Sequence, residues 1–230
     1  MYSPSYCKGQ NGLWLPRGAG PNPDGLVIWY DTPQLVGLAN NDPITTCTDF
    51  SGNGNHATQA TASKQPRYMA GVQNGLPVMR LDGVDDYFDS VTMGGSVSYF
   101  IVAKGPTDAL GYWPNQYTSF FEQKTWVDNA SNWGLFTIGP GAKFHSTGLP
   151  VAVWKDGVSL ASPFSLSPIS DSFHVYSLTT KNATSALRAI GNSDGSVLSA
   201  DIAELVLYNR IHSDTERQYE ENRLATKWGL

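Results

Sequence analysis

The chain has 230 residues, of which 15% are charged and 12% aromatic, and its formal net charge is −5. A chain of this length can bury a substantial hydrophobic core without disulfide or metal staples. The acidic balance and the lack of any run of basic residues argue against a nucleic-acid partner, and no apolar run approaches the roughly 18 residues that a membrane-spanning helix needs.

Residues 1–24 differ in character from the rest of the chain. Pro, Gly and Asn dominate, and the apolar side chains follow neither a strand period nor a helix period. Such a segment cannot build a core of its own, so we predict an extended N-terminal arm that docks its apolar groups onto another surface. The alternative is a disordered terminus. The docking side chains would be Tyr2, Tyr6, Trp14 and Leu15.

Two further features concern this first part of the chain. The start "MYSPSYCKGQNGLWLP" has neither the basic nor the apolar region of a secretory signal, so we expect no export by the general secretory route. Cys7 and Cys47 are too far apart for a C-x-x-C motif. They form either one disulfide or two unrelated buried thiols, and sequence alone does not place them within bridging distance.

Strand-like runs recur between turn signals from residue 25 to about residue 210, and they predict a single all-β domain over residues 25–230. The runs, in chain order, are "LVIWYD" (26–31), "LPVMRLDG" (76–83), "SYFIVAKG" (98–105), "TSFFEQ" (118–123), "WGLFTIG" (133–139), "VAVWKDG" (151–157), "SFHVYSLTT" (172–180), "ALRAIG" (186–191) and "IAELVLYNR" (202–210).

Only the tail of the chain is predicted to be helical. Ser213 and Glu216 form a capping box, the stretch "DTERQYEENRLATKW" consists of helix formers, and Gly229 stands where a left-handed C-cap belongs. On this helix, Glu216, Glu220 and Glu221 are expected to face solvent. Many strands followed by one helix, without βαβ alternation, indicate a two-sheet sandwich.

The stretch "DFSGNGNHATQ" (49–59) begins like the calcium loop of an EF-hand. Loop position 12 would be Ala60, however, and an EF-hand needs a bidentate carboxylate there. The EF-hand interpretation therefore fails. A polar turn remains, in which Asp49 and the asparagines accept or donate local hydrogen bonds while Gly52 and Gly54 take positive φ.

Several segments, taken in order, resemble the concanavalin A-like lectin/laminin-G superfamily, in the branch found in bacterial and phage surface proteins. They are "LVIWYD", "DFSGNGNHATQAT", "QPRYMAGVQNGLPVMRLDGVDDYF", "SYFIVAKG" and "DIAELVLYNRIHSDTERQYEENRLATKWGL", and they span residues 26–230. The resemblance implies a jelly-roll sandwich of two curved antiparallel sheets, with a C-terminal α-helix and the N-terminal arm outside it.

The same resemblance implies that structural Ca²⁺ can be held near the rim of the sandwich. The oxygen ligands would come from Asp49, Asn53 and Asn55, with Asp201 from the strand that leads into the tail. The alternative is the local turn described above. Asp82, Asp85 and Asp86 could likewise hold a cation or form an acid pair, but Gly83 among them favours a hairpin turn.

We expect no catalysis from the sequence. The E-x-D-x-x-E triplet of glucanases on this fold is absent, and Asp201 and Glu204 should lie on opposite faces of their strand. The four histidines are scattered, and no G-x-S-x-G elbow anchors a serine hydrolase.

Two aromatic loops have the composition of a sugar-binding surface, because a pyranose presents an apolar face ringed by hydroxyls. They are "GYWPNQY" (111–117) and "KTWVDNASNW" (124–133). Trp133 and Trp154 are expected in the core. The predicted glycan or partner contacts are Tyr112, Trp113, Asn115, Tyr117 and Trp126.

The resemblance, the arm and the missing export signal together predict a phage virion surface protein, a head-decoration or fibre subunit. It would be assembled in the host cytoplasm, bind capsid or tail proteins through the arm, oligomerise with its own copies, and bind glycans. The first alternative is a carbohydrate-binding module of a secreted bacterial protein, located outside the cell. A glycan-cleaving enzyme is the second alternative. No nucleic-acid partner, no membrane insertion and no cofactor other than Ca²⁺ are expected.

Overall fold

A computed structural model describes residues 20–89, 95–105, 151–160, 172–183 and 199–230, with short strands outside these ranges. Nearly all of its regular structure is β. The first strands in chain order are β1 Tyr6–Lys8, β2 Trp14–Pro16, β3 Leu26–Asp31, β4 Asp42–Pro43, β5 Thr46–Cys47, β6 Ala57–Thr58, β7 Arg67–Gln73, β8 Leu76–Asp82, β9 Phe88–Asp89 and β10 Gly95–Lys104.

The remaining strands lead to the only α-helix among the described residues. They are β11 Thr118–Ser119, β12 Phe121–Lys124, β13 Asn132–Gly134, β14 Thr137–Ile138, β15 Val151–Lys155, β16 Val158–Ser159, β17 His174–Ala183, β18 Leu187–Ile190, β19 Asn192–Ser193, β20 Ser196–Val197 and β21 Ser199–Tyr208. Short 3₁₀ turns cover Thr32–Gln34 and Ala62–Lys64, and α1 covers Asp214–Trp228.

Two antiparallel sheets form the body. The larger has nine strands in the order β16-β15-β17-β10-β21-β8-β7-β4, with β3 also paired to β21. The smaller has six strands in the order β13-β12-β18-β9-β6-β5. Three separate two-stranded pairs are β1–β2, β11–β14 and β19–β20. The prediction of an all-β sandwich followed by one helix is confirmed.

The main core lies between the two sheets. It takes alternate side chains from the inner face of the large sheet, since successive residues of a strand point to opposite faces. The large sheet contributes Ile28, Met79, Leu81, Ile101 and Leu205, and the small sheet contributes Cys47, Ala57, Phe88 and Ile190. Cys47 is a free, buried thiol, so it is not half of a disulfide.

Strand β7 is the longest of the strands that were not predicted. β7 pairs with β8 through a two-residue turn in which Asn74 has φ 50° and Gly75 has φ 73°. Positive φ at both positions is the requirement of a type I′ hairpin, and Asn-Gly is its commonest sequence. The turn signal was therefore present in "QNGL", but β7 has no buried residue to give it a hydrophobic pattern.

Helix α1 covers the outer face of the large sheet. Its capping box at Ser213 and Glu216 and its left-handed C-cap at Gly229 are both present, as predicted. Leu224 and Trp228 on the helix pack against a second apolar cluster on the sheet. The sheet side of this cluster consists of Val78, Phe100, Val102, Val175, Ala203, Val206 and Tyr208.

A bulge in β21 turns acidic side chains toward the outer face. Val102 pairs with Glu204 and Ala103 with Ile202, which leaves Ala203 as the extra residue. Glu204 accepts a hydrogen bond from the indole N–H of Trp228 under the helix. The prediction that Asp201 and Glu204 lie on opposite faces was wrong, because strict alternation does not survive the bulge.

The last residues of the predicted arm contact the body. Asn22 N–H donates to Glu220 Oε1 at 3.0 Å, and Arg210 Nε lies 3.2 Å from Asp24 Oδ2. Farther upstream, β1 and β2 form a short antiparallel pair within the segment that was predicted to lack regular structure. No helix in the described part of the chain has the length and apolarity to cross a lipid bilayer.

Candidate functional site

A cleft of about 550 Å³ opens at one edge of the large sheet. Three pieces of chain enclose it: the β15–β16 hairpin, the first residues of β17, and one side of α1. Polar groups reach it from all three, and apolar side chains complete the lining. The polar lining residues are Asp156, His174, Gln218, Glu221 and Asn222, and the apolar ones include Val158 and Phe173.

The hairpin holds Asp156 in a defined place. Asp156 has φ 50° and Gly157 has φ 78°, the left-handed pair of a type I′ turn. The N–H of Asp156 donates to Val175 O at 2.8 Å, and its Oδ1 accepts from Val175 N–H at 2.9 Å. The side chain is therefore fixed to β17 through both backbone and carboxylate.

The other oxygen of Asp156 is directed at a histidine. His174 Nδ1 lies 2.6 Å from Asp156 Oδ2, and His174 Nε2 lies 3.2 Å from Ser172 Oγ. A carboxylate only accepts hydrogen bonds, so Nδ1 carries the proton in this pair. When the imidazole is neutral, Nε2 is the acceptor and the serine hydroxyl is its donor.

The base of the cleft contains a buried ion pair. Arg217 Nη1 lies 2.6 Å from Glu221 Oε2, and Ser177 Oγ also donates to Glu221. The guanidinium of Arg217 stacks over Trp154, with 4.2 Å between Cζ and the ring centroid. Trp154 thus lies on the outer face of the sheet rather than in the core between the sheets, where it was predicted.

The expectation that Glu220 and Glu221 face solvent was wrong. Glu220 is completely buried and Glu221 nearly so. Tyr208 Oη donates to Glu220, and Arg223 Nε donates to it at 2.6 Å. A polar helix stretch looks solvated in a sequence, but here the helix lies flat on a sheet that supplies partners for its acids.

The residues predicted to hold Ca²⁺ divide between two places. Asp49 accepts from the N–H groups of Trp29, Ser51 and Asn55, each at 2.9 Å. Gly52 and Gly54 take φ 89° and 75°. This is the local turn network that was the alternative to calcium.

The asparagines of this loop and Asp201 have other partners. Nδ2 of Asn53 donates to Leu26 O and Nδ2 of Asn55 donates to Val27 O, both at 2.9 Å. Asp201 forms a two-point ion pair with Arg80, at 2.6 and 2.8 Å. Calcium binding by this set stays a prediction.

The acidic stretch after β8 forms a turn. Asp82 Oδ1 accepts from the N–H groups of Val84, Asp85 and Asp86 at 2.8, 3.2 and 3.3 Å. Burial, with the charge of Asp82 next, raises the pKa of Asp86 to about 6. The three carboxylates lie close enough together for a cation, but their hydrogen bonds are those of the predicted turn.

The remaining predicted positions fall largely outside the described residues. Tyr112, Trp113, Asn115, Tyr117 and Trp126 lie outside them, as does Tyr2. Tyr6, Trp14 and Leu15 belong to the short β1–β2 pair. Glycan contact and arm docking by these residues stay predictions.

Sequence reasoning missed the cleft and its three aligned side chains. Ser172 and His174 show an S-x-H alternation, and "DG" at 156–157 signals a hairpin. Neither pattern is specific by itself. The side chains of Asp156 and His174 meet only because β15 pairs with β17. Local sequence does not predict a pairing between distant strands.

Comparison with known proteins gives similarity of structure only. Neither a family model nor a curated protein sequence matches the chain. The binding domain of Paraclostridial mosquitocidal protein 1 matches with TM-score 0.50 and 11% identity, over 90% of this chain and 55% of that one. The sialidase of Trypanosoma rangeli in complex with a difluoro-KDN matches with TM-score 0.48 and 11% identity, over 98% and 36%.

A further structure of that sialidase, in complex with sialic acid, matches with TM-score 0.45 and 12% identity, over 93% of this chain and 35% of that one. The chain thus spans about a third of the sialidase chain and about half of the binding domain. The expectation that the chain is not an enzyme is corrected by these matches, because its structural neighbours are mostly sialidases, which cleave glycans. At such low identity the likeness concerns the fold, and no sialidase residue or activity is transferred.

Proposed function

We propose that this chain is a glycan-binding β-sandwich of the concanavalin A-like/laminin-G type and that the cleft beside α1 takes the sugar. The observation that carries the proposal is the convergence of polar residues on a largely apolar cleft. Sugar sites need hydrogen-bonding groups around an apolar contact surface. Gln218 and Asn222 supply amides, the Asp156–His174 pair supplies a charged edge, and Phe173 and Val158 supply apolar surface.

The fold comparison supports a binding role. A protein domain with a similar fold is the binding domain of a mosquitocidal protein. Fold alone does not carry function, so the support for this chain lies in the residues of the cleft. The aromatic loops with Tyr112, Trp113 and Trp126 are a second proposed contact set.

We further propose that the domain is displayed on a virion, with residues 1–24 docked onto capsid or tail proteins and the domain clustered with its own copies. The alternative is a carbohydrate-binding module in an extracellular protein. Support for display comes from the apolar side chains of the segment, which gain from burial on a partner.

A glycan array tests the binding proposal and separates the two contact sets. Wild type, the Gln218→Ala/Asn222→Ala double variant and Trp113→Ala would be compared on the same array. Both helix positions are at least partly exposed, so the double variant should fold. Loss of the wild-type signal in the double variant supports the cleft. If only Trp113→Ala loses the binding signal, the sugar binds at the aromatic loops instead. If wild type binds no glycan on the array, the proposal is rejected.

A further inference from the structure

Three side chains beside the cleft are linked in the order hydroxyl, imidazole and carboxylate. Ser172 Oγ, both ring nitrogens of His174 and Asp156 Oδ2 lie in one hydrogen-bonded row, with separations of 3.2 and 2.6 Å. A nucleophilic hydrolase needs this connectivity: the hydroxyl on one ring nitrogen and the carboxylate on the other. It is recognised by geometry and not by chain order.

The backbone fixes this row at two points. Ser172 lies two residues before His174, the first residue of β17, and its Oγ is within hydrogen-bonding distance of His174 Nε2. Asp156 is tied to Val175, the next residue of β17, by two hydrogen bonds. A carboxylate held in this way keeps the imidazole in a single orientation.

The surroundings leave room for a substrate. Ser172 is exposed, and His174 and the adjacent Phe173 line the cleft. Val158, Phe173 and Ala225 make part of the lining apolar, while Gln218 and Asn222 make part of it polar. The apolar part has the chemistry to contact a short acyl group, and the polar part has hydrogen-bonding groups suited to a hydroxylated alcohol.

We propose that this site hydrolyses carboxylic esters with short acyl groups, with Ser172 as nucleophile, His174 as general base and Asp156 as its positioning residue. Ser172 Oγ attacks the ester carbonyl carbon as its proton passes to His174 Nε2. The C–O bond to the alcohol then breaks, and the alcohol leaves with that proton.

Water completes the reaction in the same way. His174 Nε2 takes a proton from water as the water oxygen attacks the acyl-serine carbonyl. The bond to Ser172 Oγ breaks, the serine recovers its proton from His174, and the carboxylic acid departs. The negative charge of Asp156 stabilises the imidazolium that forms in each half of the reaction. No oxidant, reductant or metal enters the balance.

The activity rests on the three side chains alone. Identifying the alcohol as a sugar, so that the substrate is an O-acylated glycan, rests on the proposed function. The two are tested separately, because ester hydrolysis is measured on p-nitrophenyl acetate and on a fluorophosphonate probe, and neither contains a sugar. A glycan array on which the protein binds nothing would reject the proposed function without affecting the test of ester hydrolysis.

The experiment compares the full chain with Ser172→Ala, His174→Ala and Asp156→Asn. Asparagine tolerates the left-handed backbone and, followed by glycine, keeps the type I′ turn. His56→Ala and Ser63→Ala are matched controls, each changing an exposed residue of the same type outside the cleft. Thermal unfolding of every variant checks the fold.

The expected result has three parts. The probe labels Ser172 in wild type and in both controls, and mass spectrometry finds no label in Ser172→Ala. His174→Ala lowers kcat by about 100-fold or more, which is the usual contribution of a general base. Asp156→Asn lowers kcat with KM within about twofold of wild type, because it acts through the imidazole; a merely structural role would also lower the unfolding temperature.

Two results would overturn the proposal. One is wild-type hydrolysis no faster than an equal concentration of free imidazole. The other is equal labelling or equal turnover in Ser172→Ala and wild type.

Discussion

Glu204 on the central strand and Arg223 on the terminal helix meet at 2.9 Å in a position where neither side chain reaches solvent. The same carboxylate accepts from Trp29 Nε1 at 2.8 Å and from Lys227 Nζ at 2.6 Å. Burial raises the pKa of Glu204, but the charges of Arg223 and Lys227 outweigh it and lower that pKa to about 2. The carboxylate is therefore ionised and fully hydrogen-bonded inside the protein.

Glu204→Gln should destabilise the fold by about 3–5 kcal/mol, because it leaves the partner cations buried without their carboxylate. Urea unfolding measures this change in free energy. Asp214→Asn is the matched control: its side chain is 82% exposed, and it should change stability by less than about 0.5 kcal/mol. Equal effects of the two substitutions would contradict the role given to Glu204.

His212 should make stability depend on pH in the mildly acidic range. Both ring nitrogens are buried without hydrogen-bond partners among the described residues, and the ring packs against Tyr208 at a centroid distance of 4.2 Å. Burial, and then the charge of Arg210, lowers the pKa of His212 from its ordinary 6.5. The unfolded chain therefore binds the proton first, and the contribution of His212 to stability, complete above pH 6.5, is lost as pH falls below it.

The measurement is the difference in unfolding free energy between pH 8 and pH 5.5, for wild type and His212→Phe. Wild type should lose more stability than the variant. Asp86 has a raised pKa and therefore adds stability as pH falls below about 6, which is the opposite of the His212 effect. Asp86 is present in both proteins, so its contribution cancels in the comparison. Glu216, Glu220 and Asp24 also face His212 and are likewise unchanged. If the unfolding free energies of wild type and His212→Phe change with pH in parallel, His212 is not the cause of the pH dependence.

Gly83 should tolerate replacement less well than Gly71, another glycine with a left-handed backbone. Its φ is +77°, and an added Cβ would lie 2.7 Å from Ser199 Cβ and 3.2 Å from Ser199 Cα. Gly71 has φ +68°, and a Cβ added to it would meet no atom within 4 Å. Gly71→Ala should cost about 1–2 kcal/mol for the backbone alone, and Gly83→Ala should cost about 1–3 kcal/mol more for the clash. Chemical denaturation of both variants measures their unfolding free energies. Equal losses of stability would contradict the close contact between Gly83 and Ser199.

Cys47 should resist thiol reagents in the folded protein. Its side chain is buried, and burial followed by the charge of Asp49 raises the pKa of the thiol well above its ordinary range. The reactive thiolate is therefore scarce and inaccessible. Iodoacetamide labelling followed by peptide mass spectrometry should leave the Cys47 peptide unmodified in buffer and modify it fully in 6 M urea, roughly a fully unfolding concentration. Equal labelling in buffer would place Cys47 at the surface.

Removing residues 1–19 should leave the domain folded but abolish its incorporation into particles. The cut falls after residue 19 because Asn22 and Asp24 contact the body. Circular dichroism checks the fold, and sedimentation with assembled particles measures incorporation. Unaltered incorporation of the truncated chain would refute docking through this segment.

The elements themselves follow closely from local sequence. The run "LVIWYD" alternates and becomes β3, and the capping box at Ser213 and the left-handed Gly229 delimit α1 as their chemistry requires. These features depend on residues a few positions apart. The burial of Glu220 and Glu221 does not, because their partners Tyr208 and Ser177 come from strands elsewhere in the chain.

The candidate site escaped prediction for the same reason. The faces of Asp201 and Glu204 were also mispredicted, because the bulge at Ala203 shifts the register of β21 and a one-residue shift reverses which side chains face outward. Asp156 reaches His174 only through the pairing of two strands. Local patterns predict which segments are strands, and long-range register decides which side chains meet.

The place of β21 in the large sheet bears on how the chain acquires its shape during synthesis. This strand pairs with β3, β8 and β10, all of which leave the ribosome earlier. Until β21 emerges, these strands have hydrogen-bonding edges with no central neighbour, and such edges invite aggregation. Acquisition of the sheet should therefore be late and slow, as expected where distant segments must meet, and chaperones that shield strand edges would act on the nascent chain in that interval.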